Sequence, residues 1–404
     1  MMLTVEQARN KILKAVSALP VDRRHISNSQ GCILAEDVYA NENIPPFRNS
    51  AMDGFAVIAD DLQGASKDQP ATLSIVEVIP AGHAPQQTLK SGQAAKIMTG
   101  AMLPEGADSV VMVEVTQSDQ QRVQIYESVT KEKNVRFPGE SVKTGDLVMS
   151  KGKQIRPQEI AMLASLNTGQ IDVFRSPVVA VISTGDELTE LGQDLDPGKI
   201  RDSNRYGICA QVEEAGYQAL DLGICRDNEA ELEQTLRRGL TKADALVTSG
   251  GVSVGEYDIV KSVLSRLGEI NFWRVAMKPG KPQAFGLAEG KPIFGLPGNP
   301  VSSLTVFDLF VRPALRKMSG HTILNRPIFC AVLQQDVVNN SDRVNYTRAI
   351  IEKRDGQYYA QVTGAQGSGI LHSLVLANGL ITIPPETTVK SGELVELQFF
   401  GNAL

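Results

Sequence analysis

The sequence has only four cysteines, Cys32, Cys209, Cys225 and Cys330, scattered over 404 residues and never in a Cys-x-x-Cys pair. That excludes a zinc knuckle and a disulfide framework, and it fits reduced thiols. Histidine is equally scarce: His25, His83, His321 and His372 fall in unrelated segments, so no set of imidazoles has the spacing of a His-rich zinc hydrolase. There is no Walker A loop. Positive charge is not in excess either, since the formal net charge is -6. A general binder of nucleic acid or of acidic membranes is therefore not expected, and any anionic ligand must be held by a local cluster. Long apolar runs are missing, and Glu6, Arg9 and Lys11 interrupt the first apolar pattern. These features predict a cytoplasmic protein with no membrane span.

What is present reads as an ordinary globular composition, with 42% apolar and 21% charged residues. The length exceeds what one hydrophobic core usually supports, so two to four domains are expected. Thr4 is a candidate cap for a helix that Pro20 stops. Residues 33–40 read as a strand, and Pro45-Pro46 rules out regular structure just after it. From about Phe55 to Val148, runs such as 73–78 and 110–113 alternate with Gly/Pro turns, the pattern of an all-β module. Pro157 opens a helix reaching Leu166.

Apolar strands at 178–182, 219–223, 245–247, 272–275 and 292–296 then alternate with helical patterns at 204–215, 229–240, 260–267 and 301–317. That alternation predicts a doubly wound parallel sheet. Past Asn325 the pattern returns to β. The expected fold class is therefore multidomain α+β and α/β. A helical/β region (1–50 and 138–176) carries an inserted β module (51–137), a doubly wound α/β domain follows (177–325), and a small β barrel or sandwich ends the chain (326–404).

Ligands of open α/β sheets lie outside the carboxyl ends of the strands, and three loops there are unusual. Ala245-Leu246-Val247 empties into Ser249-Gly250-Gly251, followed by Ser253 and Asp258. Small residues let backbone N–H groups reach a phosphate, and a carboxylate beside it implies a cation between them. The second loop, Thr184-Gly185-Asp186-Glu187, carries adjacent carboxylates; the third, Pro297-Gly298-Asn299-Pro300, has a capping residue and a proline suited to a helix start. Each alone also reads as an ordinary turn or cap; their convergence on one crevice is the stronger signal. Arg274, Lys278 and Lys281 place three cations in a loop stiffened by prolines, which suits an oxyanion. Carboxylates, hydroxyls, lysines and glycines together form the kit of a hard divalent cation that bridges phosphate oxygens. By composition, Asp53-Gly54 and Thr99-Gly100 are plain turns.

Taken in order, Ser50-Ala51-Met52-Asp53-Gly54-Phe55-Ala56, Ile97-Met98-Thr99-Gly100, Ser183-Thr184-Gly185-Asp186-Glu187-Leu188, 249–255 and 296–302 resemble the MoeA family of molybdopterin molybdenumtransferases. The same family includes the E domains of gephyrin and of plant Cnx proteins. The resemblance covers nearly the whole chain and likens its α/β domain to molybdopterin adenylyltransferase. It implies that molybdate is inserted into adenylylated molybdopterin, that the phosphoanhydride is cleaved and that AMP leaves, with Mg²⁺ as the metal. By position it implies catalytic roles for Asp53, Thr99, Glu187 and Asp258, the last two as metal ligands. Substrate would meet Asp186, Asp227, Ser249, Gly250, Gly251, Ser253, Pro297, Asn299 and Pro300, and molybdate would meet Arg274, Lys278 and Ser368. A homodimer is implied, with Asp53 and Thr99 acting in the partner's site. Molybdopterin adenylyltransferase and maturation proteins of molybdoenzymes are implied partners. The alternative is a non-catalytic dimeric scaffold or pterin-binding protein of the gephyrin type. Two departures stand out: Ser141 occupies a position where the family commonly has aspartate, and Arg274 one where lysine is common.

Overall fold

In a computed structural model of the chain, residues 2–251 and 259–401 are described. Thr4 does cap the first helix, Val5–Ala15, through a reciprocal pair: Gln7 N donates to Thr4 Oγ1 (3.1 Å) and Thr4 N to Gln7 Oε1 (3.0 Å). The apolar stripe of this helix, Val5, Ala8 and Ile12, is buried with Val179, Val247 and Phe310 of the central domain. Leu3 also bridges to Val275. The amino terminus is thus packed far along the chain, not against the segments that follow it.

Those segments form short antiparallel pairs: Val21–His25 with Gln170–Phe174, Val38–Tyr39 with Leu147–Met149, and Asn49–Ser50 with Val135–Arg136. The stretch 33–40 is not one strand. Ile33 and Leu34 make single bridges to Gln154 and Val173, and only Val38–Tyr39 is a strand. Between them Asp37 Oδ1 takes the N–H of Lys151 at 2.7 Å, which diverts the chain into a turn. The helix Pro157–Ser165 starts on proline, and the Glu159 carboxylate accepts from both the backbone and the guanidinium of Arg156. The Arg156 side chain is the largest influence holding that carboxyl down to about 2.

Between the paired segments lies a six-stranded sheet in the order Ser109–Met112, Gly54–Val57, Gln93–Ile97, Ala71–Ile79, Arg122–Ile125, Thr116–Ser118. Its two faces are covered separately by Ile79, Ala95 and Ile97 on one side and Phe55, Val57 and Val111 on the other.

The central sheet runs Gln218–Cys225, Val178–Thr184, Ala245–Ser249, Lys291–Leu296, Pro282–Ala288, Glu269–Arg274. The first four strands are parallel, and Pro282–Ala288 is antiparallel to both of its neighbours. This antiparallel strand, which contains Gly286, has no counterpart in the sequence reading. Here it marks a close approach: a Cβ on Gly286 would stand 2.0 Å from Glu269 O. Helices cover both faces. Val5–Ala15, Asn204–Glu214 and the helical run from Pro300 to Met318 share the core of Val179, Val181 and Val247, while Glu229–Lys242 and Ile259–Leu267 pack on Ala180, Ile182 and Leu246.

The carboxyl-terminal strands Val344–Arg354, Gln357–Val362, Phe329–Leu333, Leu394–Phe399 and Gly379–Ile383 each pair with the next, and the last pairs with the first. The unit is therefore a closed five-stranded barrel, with no free edge among these strands. Met277–Lys278 joins it by pairing with Val344–Asn345. Among the described residues no helix is long and apolar enough to cross a membrane.

Candidate functional site

From strand Val178–Thr184 the chain moves to the edge strand Gln218–Cys225, then returns across it to Ala245–Ser249 on the other side. The reversal leaves a crevice at the carboxyl ends of Val178–Thr184 and Ala245–Ser249, where such sheets bind ligands. A cavity of about 60 Å³ sits there, lined by Thr184, Glu187, Asn204, Ser249, Gly250 and Gly298 among others. It suits one tetrahedral oxyanion.

Its floor is built by backbone. Gly250 has φ 94°, its N–H donates to Leu296 O at 3.1 Å, and a Cβ there would lie 2.7 Å from Thr184 O. Only glycine fits. Asn204 Nδ2 donates to Ser249 Oγ (2.8 Å) and to Gly298 O (2.7 Å), joining the first and third predicted loops, while its Oδ1 is buried and has no partner. A buried amide oxygen with a free lone pair calls for a donor from outside the chain. Ser249 Oγ is also 3.5 Å from the buried Ser303 Oγ. Sequence reasoning missed Asn204; the signal was a polar amide opening a helix directly after a strand pair.

The second loop stands beside this floor. Asp227 N donates to Asp186 Oδ1 at 3.2 Å, and Arg226 Nη1 bonds the carbonyls of Asp186 (3.0 Å) and Leu188 (2.8 Å). Asp186 and Asp227 are thereby brought together. Glu187 folds its carboxylate back over Gly185, with Oε2 2.3 Å from where a Cβ of that glycine would be. Beneath the loop, buried Arg205 binds Asp202 Oδ2 at 2.9 Å, both oxygens of Glu190 at 2.7 Å, and Asp221. Burial alone would lower the guanidinium's pKa; hydrogen bonds to Asp221 and Asp202 outweigh it and raise it. Asp202 also accepts from Ser183 Oγ at 2.9 Å, so this cluster fixes the end of the strand that carries the loop.

At the third loop Pro300 occupies the first helical turn. Asn299 holds the cap position without a side-chain bond. Pro297 is buried beside it. The barrel reaches in here, for Ser368 O accepts from Val301 N at 3.2 Å. Its loop is braced by Arg348, which is fully buried. Arg348 Nε donates to Ser373 Oγ (3.0 Å) and Nη2 to Gly367 O (3.1 Å), while Nη1 is buried without a partner. Burial pushes this guanidinium's pKa down. Sequence reasoning missed Arg348 because it sits mid-strand, where alternation reads as an outward position.

Arg274 ends its strand at the same edge of the sheet, three strands from Ser249, a lateral distance of about 14 Å. Lys278 pairs with Asn345 of the barrel, and Arg274 and Lys278 are exposed. Asp53 and Thr99 are brought to each other, not to the crevice: Asp53 Oδ1 accepts from Thr99 N (2.7 Å) and Thr99 Oγ1 (2.9 Å). The backbone bond, then the hydroxyl, holds this carboxyl below the usual range. Phe47, Met52, Met102 and Val113, on the same and neighbouring segments, are each more than a third exposed. Ser141 N bonds Ile44 O, and beside it Glu140 Oε2 accepts from Phe137 N at 3.0 Å. Ser253 and Asp258 lie outside the described residues. Among the described residues no group of three or more His, Cys, Asp or Glu could hold a metal.

Three family models match the chain in order: "MoeA N-terminal region (domain I and II)" over residues 3–167, "Probable molybdopterin binding domain" over 180–317, and "MoeA C-terminal region (domain IV)" over 330–400. The chain is 39% identical to the molybdopterin molybdenumtransferase of Haemophilus influenzae, covering 100% of both. It is 38% identical to that of a Nostoc species, over 90% of this chain and 85% of the relative. Two solved structures of the molybdopterin biosynthesis MoeA protein of Pyrococcus horikoshii superpose with TM-scores of 0.85 and 0.83, at 32% and 29% identity. They cover 100% and 99% of this chain and 100% of each relative.

Proposed function

The chain belongs to the MoeA family, and we propose that it is a molybdopterin molybdenumtransferase of molybdenum cofactor biosynthesis. It inserts molybdate into adenylylated molybdopterin, with cleavage of the phosphoanhydride and release of AMP. One observation carries this reading: an oxyanion-sized crevice lies at the strand-order reversal, floored by Gly250 against Thr184 and edged by Asn204 and the helix start at Pro300. The non-catalytic scaffold is not favoured, because the relatives carry a transferase's name.

The roles follow from chemistry. Ser249, Ser253 and the backbone of Gly251 receive the phosphates, and Gly250, whose N–H is taken by Leu296 O, leaves them room to approach. Pro297, Asn299 and Pro300 shape the wall against which the nucleotide lies, and Asp186 and Asp227 orient the pterin and nucleotide. Arg274, Lys278 and Ser368, with Arg348 behind its loop, hold the molybdate dianion. Hard oxygen donors around a phosphate site fit Mg²⁺, which is commonly bound by one or two carboxylates plus substrate phosphates. Glu187 would hold it together with Asp258, and when bound it neutralises phosphate charge. The protein acts in the cytoplasm, takes its substrate from molybdopterin adenylyltransferase, and passes its product towards molybdoenzyme-maturation proteins.

The active unit is a homodimer in which Asp53 and Thr99 of one copy complete the crevice of the other. Two features support this: among the described residues no bond joins that pair to the crevice, and exposed Phe47, Met52, Met102 and Val113 provide an apolar surface for association. Subunit mixing tests it. Asp53→Ala and Glu187→Gln chains are each expected to lose AMP release, and an equal mixture of the two after subunit exchange is expected to recover about a quarter of wild-type activity, since about half of the dimers then hold one intact site. Mixed dimers that form but stay inactive would overturn the shared site.

A further inference from the structure

A second polar cavity lies at the opposite edge of the central sheet, with a volume of about 610 Å³. Tyr217, which lines it, stands at the amino end of strand Gln218–Cys225, whose carboxyl end leads to Asp227 at the crevice. That strand puts about 26 Å between the two sites. Residues 30–33 close the cavity from the amino-terminal region, and one face of helix Arg312–Met318 with the turn after it closes it from the central domain. The volume is in the range of small-molecule sites.

The chemistry of its wall is one-sided. Arg24, Arg312 and Arg316 face a single carboxylate, Glu214. Arg24 is shared with Asp22 at 3.3 Å, and Glu214 leans towards Arg326 at 3.8 Å. Among the described residues Arg312 and Arg316 have no ion pair, and Arg312 Nη1 is buried with no hydrogen-bond partner. Asp308, whose charge acts on Arg312, is already bound by Arg326 at 2.8 Å. Burial first, then the neighbouring Arg326, pushes the Arg312 guanidinium down to about 10.

Arg316 Nη2 donates to His321 Nδ1 at 3.0 Å. The imidazole must then carry its proton on Nε2, which makes it a further donor. Burial pushes His321 down to about 4, so the ring is neutral near pH 7.

Capping of the helix does not account for these arginines. The last carbonyls are already taken: Leu315 O by Ser319 N, Lys317 O by Gly320 N and Arg316 O by His321 N. Two guanidiniums without counter-charge, one of them with a buried unsatisfied N–H, are costly unless an anion joins them.

We infer that this cavity binds a small organic phosphate, its phosphate dianion seated on Arg312 and Arg316 and its uncharged remainder extending towards residues 30–33. The charge of a phosphomonoester matches the two unpaired guanidiniums, and the space left beyond one phosphate has room for an organic part.

Calorimetric titration of the full chain at constant ionic strength tests this, with inorganic phosphate, glycerol 3-phosphate and succinate as probes. Glycerol 3-phosphate is expected to bind at least as tightly as phosphate, and Arg312→Gln to weaken it by about tenfold or more. Lys278→Gln, among the residues proposed for molybdate, is expected to leave it unchanged. Should Arg312→Gln fail to fold, Arg316→Gln, which removes the other guanidinium of the pair lining the cavity, gives the same reading. Affinity indifferent to these arginines would overturn the proposal, as would loss in Lys278→Gln, phosphate bound without glycerol 3-phosphate, equal binding of succinate, or no binding at all.

Discussion

Replacement of Arg205 by methionine is expected to cost about 3–5 kcal/mol of folding stability, because it strands a buried carboxylate. Asp202 is only 2% exposed and depends on Arg205 Nε at 2.9 Å and on Ser183 Oγ at 2.9 Å. Glu190 and Asp221 converge on the same guanidinium and would then repel each other. Methionine keeps most of the stem's packing, so the loss reports charge more than volume. The check is the urea midpoint of the central domain at unchanged slope. A second substitution, Asp202→Asn, in the same chain should recover part of the loss. A change below about 1 kcal/mol, the usual worth of a surface pair, would show that water reaches the cluster.

The second large effect is on activity. Gly250→Ala is expected to lower kcat/KM for AMP release about a hundredfold, since displacement of a reacting group by about 1 Å is enough for that. The added Cβ would be 2.7 Å from Thr184 O at a φ of 94°, and neither backbone can yield without moving the loop that carries Ser249. Circular dichroism and the unfolding midpoint separate this from a folding defect. Turnover near the wild-type value in the folded variant would remove the loop from the phosphate site.

The doubly wound domain was legible because its strands are apolar on both faces and its helices keep their own period, so the change of grammar after Val178 is visible in the letters alone. The antiparallel strand Pro282–Ala288 was not, because Gly286 satisfies a close contact that exists only once Glu269–Arg274 lies alongside. The loop residues 184–187, 249–251 and 297–300 could be picked out because strand ends are where ligands bind. Thr184, Glu187, Ser249, Gly250 and Pro300 indeed line one crevice. Arg205 with Asp202, Glu190 and Asp221 could not be found that way, since three carboxylates on different segments acquire meaning only through one guanidinium. Asn204 and Arg348 escaped for the same reason: what distinguishes them is a buried atom without a partner, a property of packing. Asp53 and Thr99 gave no signal by composition. Their pairing across a sheet is a tertiary fact, and their role rests on the family resemblance.

The most direct test of the central claim is AMP release from adenylylated molybdopterin by the purified chain, measured with molybdate and Mg²⁺ together and with each omitted. The account predicts release that requires both. Binding of the nucleotide by a folded dimer with no AMP released under any of these conditions would contradict it.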